Sequence, residues 1–332
     1  MIQFLRYLLF PISILYGAVV RLRHLLYDYG IFSSTTFNVP IICVGNLSVG
    51  GTGKTPMIEY LIKNLQSYKR VGVISRGYKR KTRGFILANE KSTVLDLGDE
   101  PFQFWRKYPE IILAVDSDRV RGVEKLLKLQ NPPDVILLDD AFQHRRIKAQ
   151  KNIVLTSYNN LYSDDYLLPT GNLRDVVSRV KKADVVVVTK CPTNISEEKR
   201  KEITEKLKRN VTQKVVLTTI SYSKKIYSQK ETINLYDFLK MPFVLVTGIA
   251  NPLPLIQFLE DNQANYKHLQ FPDHHNFTNS EIEKLKRESR ILTTEKDFVR
   301  LQNQLINIYY LPIETEFISK SEESVFLEIL NI

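Results

Sequence analysis

The stretch Ser48-Val49-Gly50-Gly51-Thr52-Gly53-Lys54-Thr55 decides the fold. It follows the apolar run Ile41-Ile42-Cys43-Val44 and precedes a helical pattern with Met57, Ile58, Leu61, Ile62 and Leu65 on one face. Closely spaced glycines between a strand and a helix let successive backbone N–H groups turn onto phosphate oxygens, with the helix N-terminus aimed at the same charge. Ser48 to Thr55 therefore read as a nucleotide phosphate loop. Lys54 is placed to reach the β- and γ-phosphates and Thr55 to hold Mg²⁺. Ser48 stands where the strict pattern has Gly, but Gly51 and Gly53, in the crowded positions, are kept.

Outward from this loop, short apolar runs alternate with helical patterns. Val71–Ile74, Ile111–Val115, Val135–Asp139, Ile153–Thr156, Val185–Thr189 and Val215–Thr219 read as strands, and Arg119–Leu129 and Glu197–Lys208 as helices. Such alternation predicts a parallel sheet covered on both faces, an α/β P-loop NTPase of three layers. A second, smaller α/β pattern follows from Phe243. The expected division is an N-terminal segment over 1–30, a nucleotide-binding domain over 31–220, a Lys-rich linker ribbon over 221–235 and a smaller domain over 236–332.

Ligands in such sheets lie beyond the carboxyl ends of the strands. The strand Val135–Leu138 delivers Asp139 and Asp140 there, the form of a metal-binding carboxylate beside a phosphate loop. His144 lies on the loop that continues. Ser75 and Arg76 directly follow another strand. Asp99 and Glu100 open a helix, where they serve either as first-turn charge or, in one case, as a general base for a phosphoryl acceptor.

The composition, 43% hydrophobic and 25% charged, is that of a soluble globular chain, and the formal charge of +11 favours acidic partners. Eight basic residues and no acid lie between Lys63 and Arg83, which fits solvated surface, anionic lipid or nucleic acid. Cys43 and Cys191 have no metal-ligand spacing and point to a reducing compartment. Phe4 to Val20 is nearly all apolar but interrupted by Arg6, Pro11 and Gly17, too short to span a bilayer comfortably. Two readings stand for it: a helix lying in a membrane interface, or a core helix packed on the sheet.

Nine stretches run in a telling order: GNLSVGGTGKTP from Gly45, SRGY from Ser75, GDEP from Gly98, LLDDAFQHR from Leu137, LPTGNLRD from Leu168, VTK from Val188, TGIANP from Thr247, FPDHHNF from Phe271 and TTEKD from Thr293. Together they resemble the tetraacyldisaccharide 4′-kinases, the lipid A 4′-kinases of Gram-negative bacteria. The resemblance implies transfer of the ATP γ-phosphate, with Mg²⁺, to the 4′-hydroxyl of a tetraacylated glucosamine disaccharide 1-phosphate. It also implies peripheral attachment to an anionic surface at the cytoplasmic face of the inner membrane, with no nucleic acid and no obligate protein partner. It makes Asp99 the base with His274 oriented against it, Asp139 and Asp140 the paired acids of the metal site, and Arg119 and Arg174 the cations for substrate phosphate or transition-state charge. Ser75, Arg76, Glu100 and His144 are expected on the substrate side. Lys79, Ala141 and Asn172 depart from the family pattern, which frequently has Gly, Gly and Pro there. Two other classes fit parts of the chain: a dimerising membrane ATPase switch, whose signature Lys falls at Val49 here, and a nucleic-acid-binding ATPase, which rests on the basic run alone.

Overall fold

The computed structural model describes residues 6–273 and 275–331. Its larger sheet has the strand order β15-β8-β7-β6-β1-β5-β2-β4-β3. The strands are β1 (Ile41–Asn46), β2 (Val71–Ser75), β3 (Ile86–Leu87), β4 (Ile112–Val115), β5 (Val135–Asp139), β6 (Lys151–Ser157), β7 (Val185–Thr189), β8 (Lys214–Tyr222) and β15 (Ile313–Phe317). From β8 through β4 all neighbours are parallel. Only the edge strands β15 and β3 pair antiparallel.

Helices cover both faces of this sheet. Along β1, Ile42 and Val44 enter one core with Met57, Ile58 and Leu61 of α2 (Lys54–Leu65) and Phe102 and Phe104 of α4 (Asp99–Lys107). Ile41 and Cys43 point the other way, into a core with Val123 and Leu126 of α5 (Arg119–Leu127) and Leu207 of α6 (Glu197–Leu207). This period of two is the strand pleat sorting one apolar run between two layers. Each fully buried aliphatic side chain contributes about 1.5–3 kcal/mol relative to exposure. The chain leaves β1 toward β2 on one side, whereas it leaves β5 for β6 on the other, so the crevice lies at the carboxyl ends of β1 and β5. Before α4, one short turn of helix, α3 (Val94–Leu97), ends at Gly98.

The smaller sheet has the order β10-β9-β14-β13-β11-β12. Its strands β11 (Phe243–Thr247), β12 (Tyr266–Gln270), β13 (Ile291–Thr294) and β14 (Ile308–Leu311) are parallel. The hairpin of β9 (Lys225–Tyr227) and β10 (Thr232–Asn234) pairs with its β14 edge. Helices α7 (Leu235–Leu239), α8 (Leu253–Asp261), α9 (Asn279–Leu285) and α10 (Glu295–Leu301) complete it.

The sheets do not follow the expected domain boundaries. Residues within the anticipated 221–235 linker form two strands of the smaller sheet. More strongly, β15 and α11 (Lys320–Leu330) leave the smaller unit and return to the larger sheet, where Phe317, Phe326 and Leu330 enter its core. The reason is apolar: Tyr60 on α2 stacks edge-on against both Phe317 and Phe326.

The N-terminal helix α1 (Phe10–Asp28) is inverted for a soluble protein. Ser13, Gly17 and His24 are buried, while Ile12, Ile14, Leu15, Val19 and Leu22 are exposed, Leu15 to 66%. It is therefore not a core helix on the sheet. Its polar side grips loops: Ser13 Oγ donates to Leu167 O at 3.0 Å, Tyr16 OH to Arg174 O at 2.9 Å, and His24 Nε2 meets Asp175 Oδ1 at 2.6 Å. Among the described residues, no helix is long and apolar enough to cross a membrane.

Phe326, fully buried, tests the closing segment. Phe326→Ala is expected to lower unfolding free energy by about 3–5 kcal/mol, measured by denaturant titration; unchanged stability would exclude α11 from the core.

Candidate active site

The phosphate loop is shaped by backbone that only glycine adopts freely, with φ of 104° at Gly50 and 85° at Gly53. It is braced from both sides. Val49 N donates to Asn172 O at 2.8 Å, and Ser48 bridges Leu173. On the other side Lys190 Nζ donates to Gly51 O at 2.6 Å and Thr189 Oγ1 to Thr52 O at 2.9 Å. Among the described residues the buried Thr52 hydroxyl has no hydrogen-bond partner. Lys54 and Thr55 open α2 in its first turn.

Lys54 Nζ donates to Asn46 Oδ1 at 3.3 Å and lies 3.8 Å from Asp140 Oδ1. Arg174 also grips Asp140: Nη1 donates to Oδ2 at 3.0 Å, and Nη2 bonds Oδ1 and Asn46 Oδ1. Burial acts to raise the Asp140 carboxyl, but the Arg174 hydrogen bonds and the Lys54 charge outweigh it and hold it below the usual carboxylate range. Asp140 sits at φ 49°, a left-handed turn that an Asp tolerates better than a bulkier residue. The turn aims its side chain back over the loop rather than along β5.

Asp139, at the end of β5, is buried and accepts from Ser75 Oγ at 2.8 Å. Burial raises its carboxyl to about 7, with the charges of Glu100 and Asp140 adding to the effect. The influence of Glu100 places the start of α4 at the same sheet edge. Arg119, 3% exposed, donates through Nη1 to Asp116 O and Ser117 O, and its Nε is without a partner among the described residues. Burial pulls its guanidinium below its ordinary value, while Asp139 and Asp140 oppose this. The hydroxyl of Thr55 and the carboxylate of Asp139 are hard oxygen donors suited to Mg²⁺. Among the described residues no group of three or more His, Cys, Asp or Glu forms a metal cage.

Comparison with known proteins settles the lineage. A family model described as tetraacyldisaccharide-1-P 4′-kinase matches residues 5–331. A tetraacyldisaccharide 4′-kinase of Flavobacterium johnsoniae is 49% identical, over 96% of this chain and 94% of that protein. One from Bacteroides thetaiotaomicron is 42% identical, over 95% and 90%. The chain belongs to the tetraacyldisaccharide 4′-kinase family. A crystal structure of the Aquifex aeolicus member of this kinase family in complex with ATP superposes with a TM-score of 0.79 at 30% identity, over 98% of this chain and 99% of that one. The chain is thus an ATP-dependent kinase of lipid A biosynthesis on a P-loop fold.

In this kinase Lys54, Asp140 and Arg174 meet directly, and Ser75 joins Asp139. Arg119 and Glu100 act on Asp139 through charge. Arg76 lies exposed just beyond β2. His144 is half-buried; burial and then the Arg119 charge push its imidazole down to about 4, and its Nε2 has no partner among the described residues. Asp99 begins α4 and is paired with Arg300 of α10, whereas His274 lies outside the described residues. Asn46 and Arg300 escaped the sequence reading. A polar residue ending the otherwise apolar β1 was the available signal for Asn46; Arg300 gave none.

Asn46 accepts from both Lys54 and Arg174. Asn46→Ala is expected to lower kcat by about tenfold or more, since each charge-assisted hydrogen bond contributes about 1.5–3 kcal/mol. Steady-state kinetics with a circular-dichroism check of folding would test it, and unchanged kinetics would mean that Asn46 does not align Lys54.

Proposed function

We propose that the acceptor 4′-hydroxyl of the tetraacylated disaccharide 1-phosphate loses its proton to Asp99 as its oxygen attacks the ATP γ-phosphorus. The new P–O bond forms, the bond to the β-phosphate bridging oxygen breaks, and ADP departs. Lys54 and the backbone N–H groups of residues 50–55 hold the nucleotide phosphates. Arg174 and Arg119 balance charge that spreads over the transferring group. Asp140, gripped by Lys54 and Arg174, aligns both cations. Thr55 and Asp139 are assigned to Mg²⁺, which supplies neutralisation of the β- and γ-phosphates when bound. His274 is assigned to orienting Asp99, on the family resemblance.

The observation that carries this reading is the convergence of Lys54, Asp140 and Arg174 at the carboxyl ends of β1 and β5. Asp140, held between Lys54 and Arg174, is read as aligning those two cations, and Asp99 is read as the base on the family resemblance. Purified protein with labelled ATP, Mg²⁺ and the disaccharide 1-phosphate is expected to yield the bisphosphorylated lipid. Asp99→Asn is expected to lower kcat by on the order of 100-fold or more with ATP binding kept, and chelation of divalent cations to stop turnover. Full activity of Asp99→Asn would remove it as base.

The outward apolar row of α1 supports attachment to the cytoplasmic face of the inner membrane, with aromatic and aliphatic side chains in the acyl boundary and nearby arginines among anionic headgroups. The paired change Leu15→Glu and Val19→Glu is expected to reduce co-sedimentation with anionic vesicles by about tenfold or more. Undiminished binding would locate attachment elsewhere.

A further inference from the structure

Helix α10 has one side in each half of the molecule. Phe298 and Leu301 pack in a core of the smaller sheet, and Val299 in the core of the larger one. Asp297 fixes the helix to the smaller sheet, accepting from Gly248 N at 2.8 Å and Thr294 Oγ1 at 2.7 Å. From this fixed base, two side chains reach across to α4, one at each end. Arg300 takes the Asp99 carboxylate side-on, with Nε donating to Oδ1 at 3.2 Å and Nη2 to Oδ2. Glu295 accepts from Lys107, the last residue of α4, at 3.0 Å. Lys107 in turn donates to Glu59 on the phosphate-loop helix α2 at 2.6 Å, and Gln103 Nε2 donates to the other Glu59 oxygen at 2.9 Å. All these charged side chains are no more than 17% exposed.

We propose that α10 is an ionic clamp on α4, with Arg300 and Lys107 as positioning residues that set the Asp99 carboxylate against the phosphate loop. The proposal rests on the reading of Asp99 as base. One end of α4 carries that base and the other is tied to the helix that begins with Lys54 and Thr55, so the base and the phosphate site are registered through a single short, rigid segment. A side-on guanidinium fixes the plane of a carboxylate as well as its place, which a point charge does not. Proton transfer needs that precision, because a misplacement of about 1 Å costs on the order of 100-fold in rate. Two carboxylates share one ammonium at the far end, and burial raises both Glu59 and Glu295, the latter to about 7. Breaking that end by removing one partner leaves an uncompensated buried charge, which is costly.

The test uses the full chain and measures kcat, ATP affinity and melting temperature for Arg300→Gln, Arg300→Lys, Lys107→Met and Lys107→Arg. We expect kcat to fall by on the order of 100-fold in Arg300→Gln and about tenfold in Lys107→Met, with ATP affinity within about threefold of wild type and partial recovery in the Lys and Arg versions. Because Lys107→Met strands two buried carboxylates and can fail to fold, Glu295→Gln serves as the companion variant at that end. The decisive comparison is Arg300→Gln placed in the Asp99→Asn background, where it is expected to cost nothing further, since it acts through Asp99. Unchanged or raised kcat in Arg300→Gln, an additive loss in that background, or a parallel loss of ATP affinity would each overturn the clamp while leaving the base in place. Full turnover of Asp99→Asn would instead remove the base, and the clamp with it.

Discussion

An ionised carboxylate pinned between two cations at the end of a buried strand is the constraint on which the active site depends. Asp140 is half-sheltered from water, yet it stays charged because Arg174 and Lys54 face it together. Lys54 comes from the helix after β1, Asp140 from the turn after β5, and Arg174 from a loop held under α1. Remove the carboxylate and the two positive side chains repel one another. With it in place, both are held toward the same point.

The adjacent residue behaves in the opposite way. Asp139 is fully enclosed, bonded to the neutral Ser75 hydroxyl and crowded by Glu100 and Asp140, and its carboxyl is raised to about 7. Two aspartates in succession thus occupy opposed electrostatic settings, because the pleat of β5 ends between them and Asp140 turns through a positive φ.

Much of this was legible in the chain. Strands β1, β5, β7 and β11 were readable because parallel strands buried on both faces are unbroken apolar runs, and the loop at Ser48–Thr55 because its glycines are dictated by phosphate geometry. The return of β15 to the larger sheet was not legible, since Ile313–Phe317 alternates with charges like any edge strand and nothing in its local pattern names its neighbour. The same holds for the Arg300 contact with Asp99, which joins residues about two hundred positions apart through the packing of α10. Helix α1 was ambiguous in sequence because an apolar stripe has the same period whether it faces a core or a bilayer. What excludes the core packing is that Ser13 and His24, rather than the leucines, face the protein.

The placement of β15 also bears on synthesis. The strand lies on the β8 edge of a sheet whose centre is formed by residues 41–46, so residues 223–312 must be made after β8 before that edge can be covered. Until then β8 presents bare peptide groups to its surroundings, the condition under which strands pair with the wrong partner. The sheet begun by residues 41–46 is therefore closed on that side only once residues 313–317 have been made.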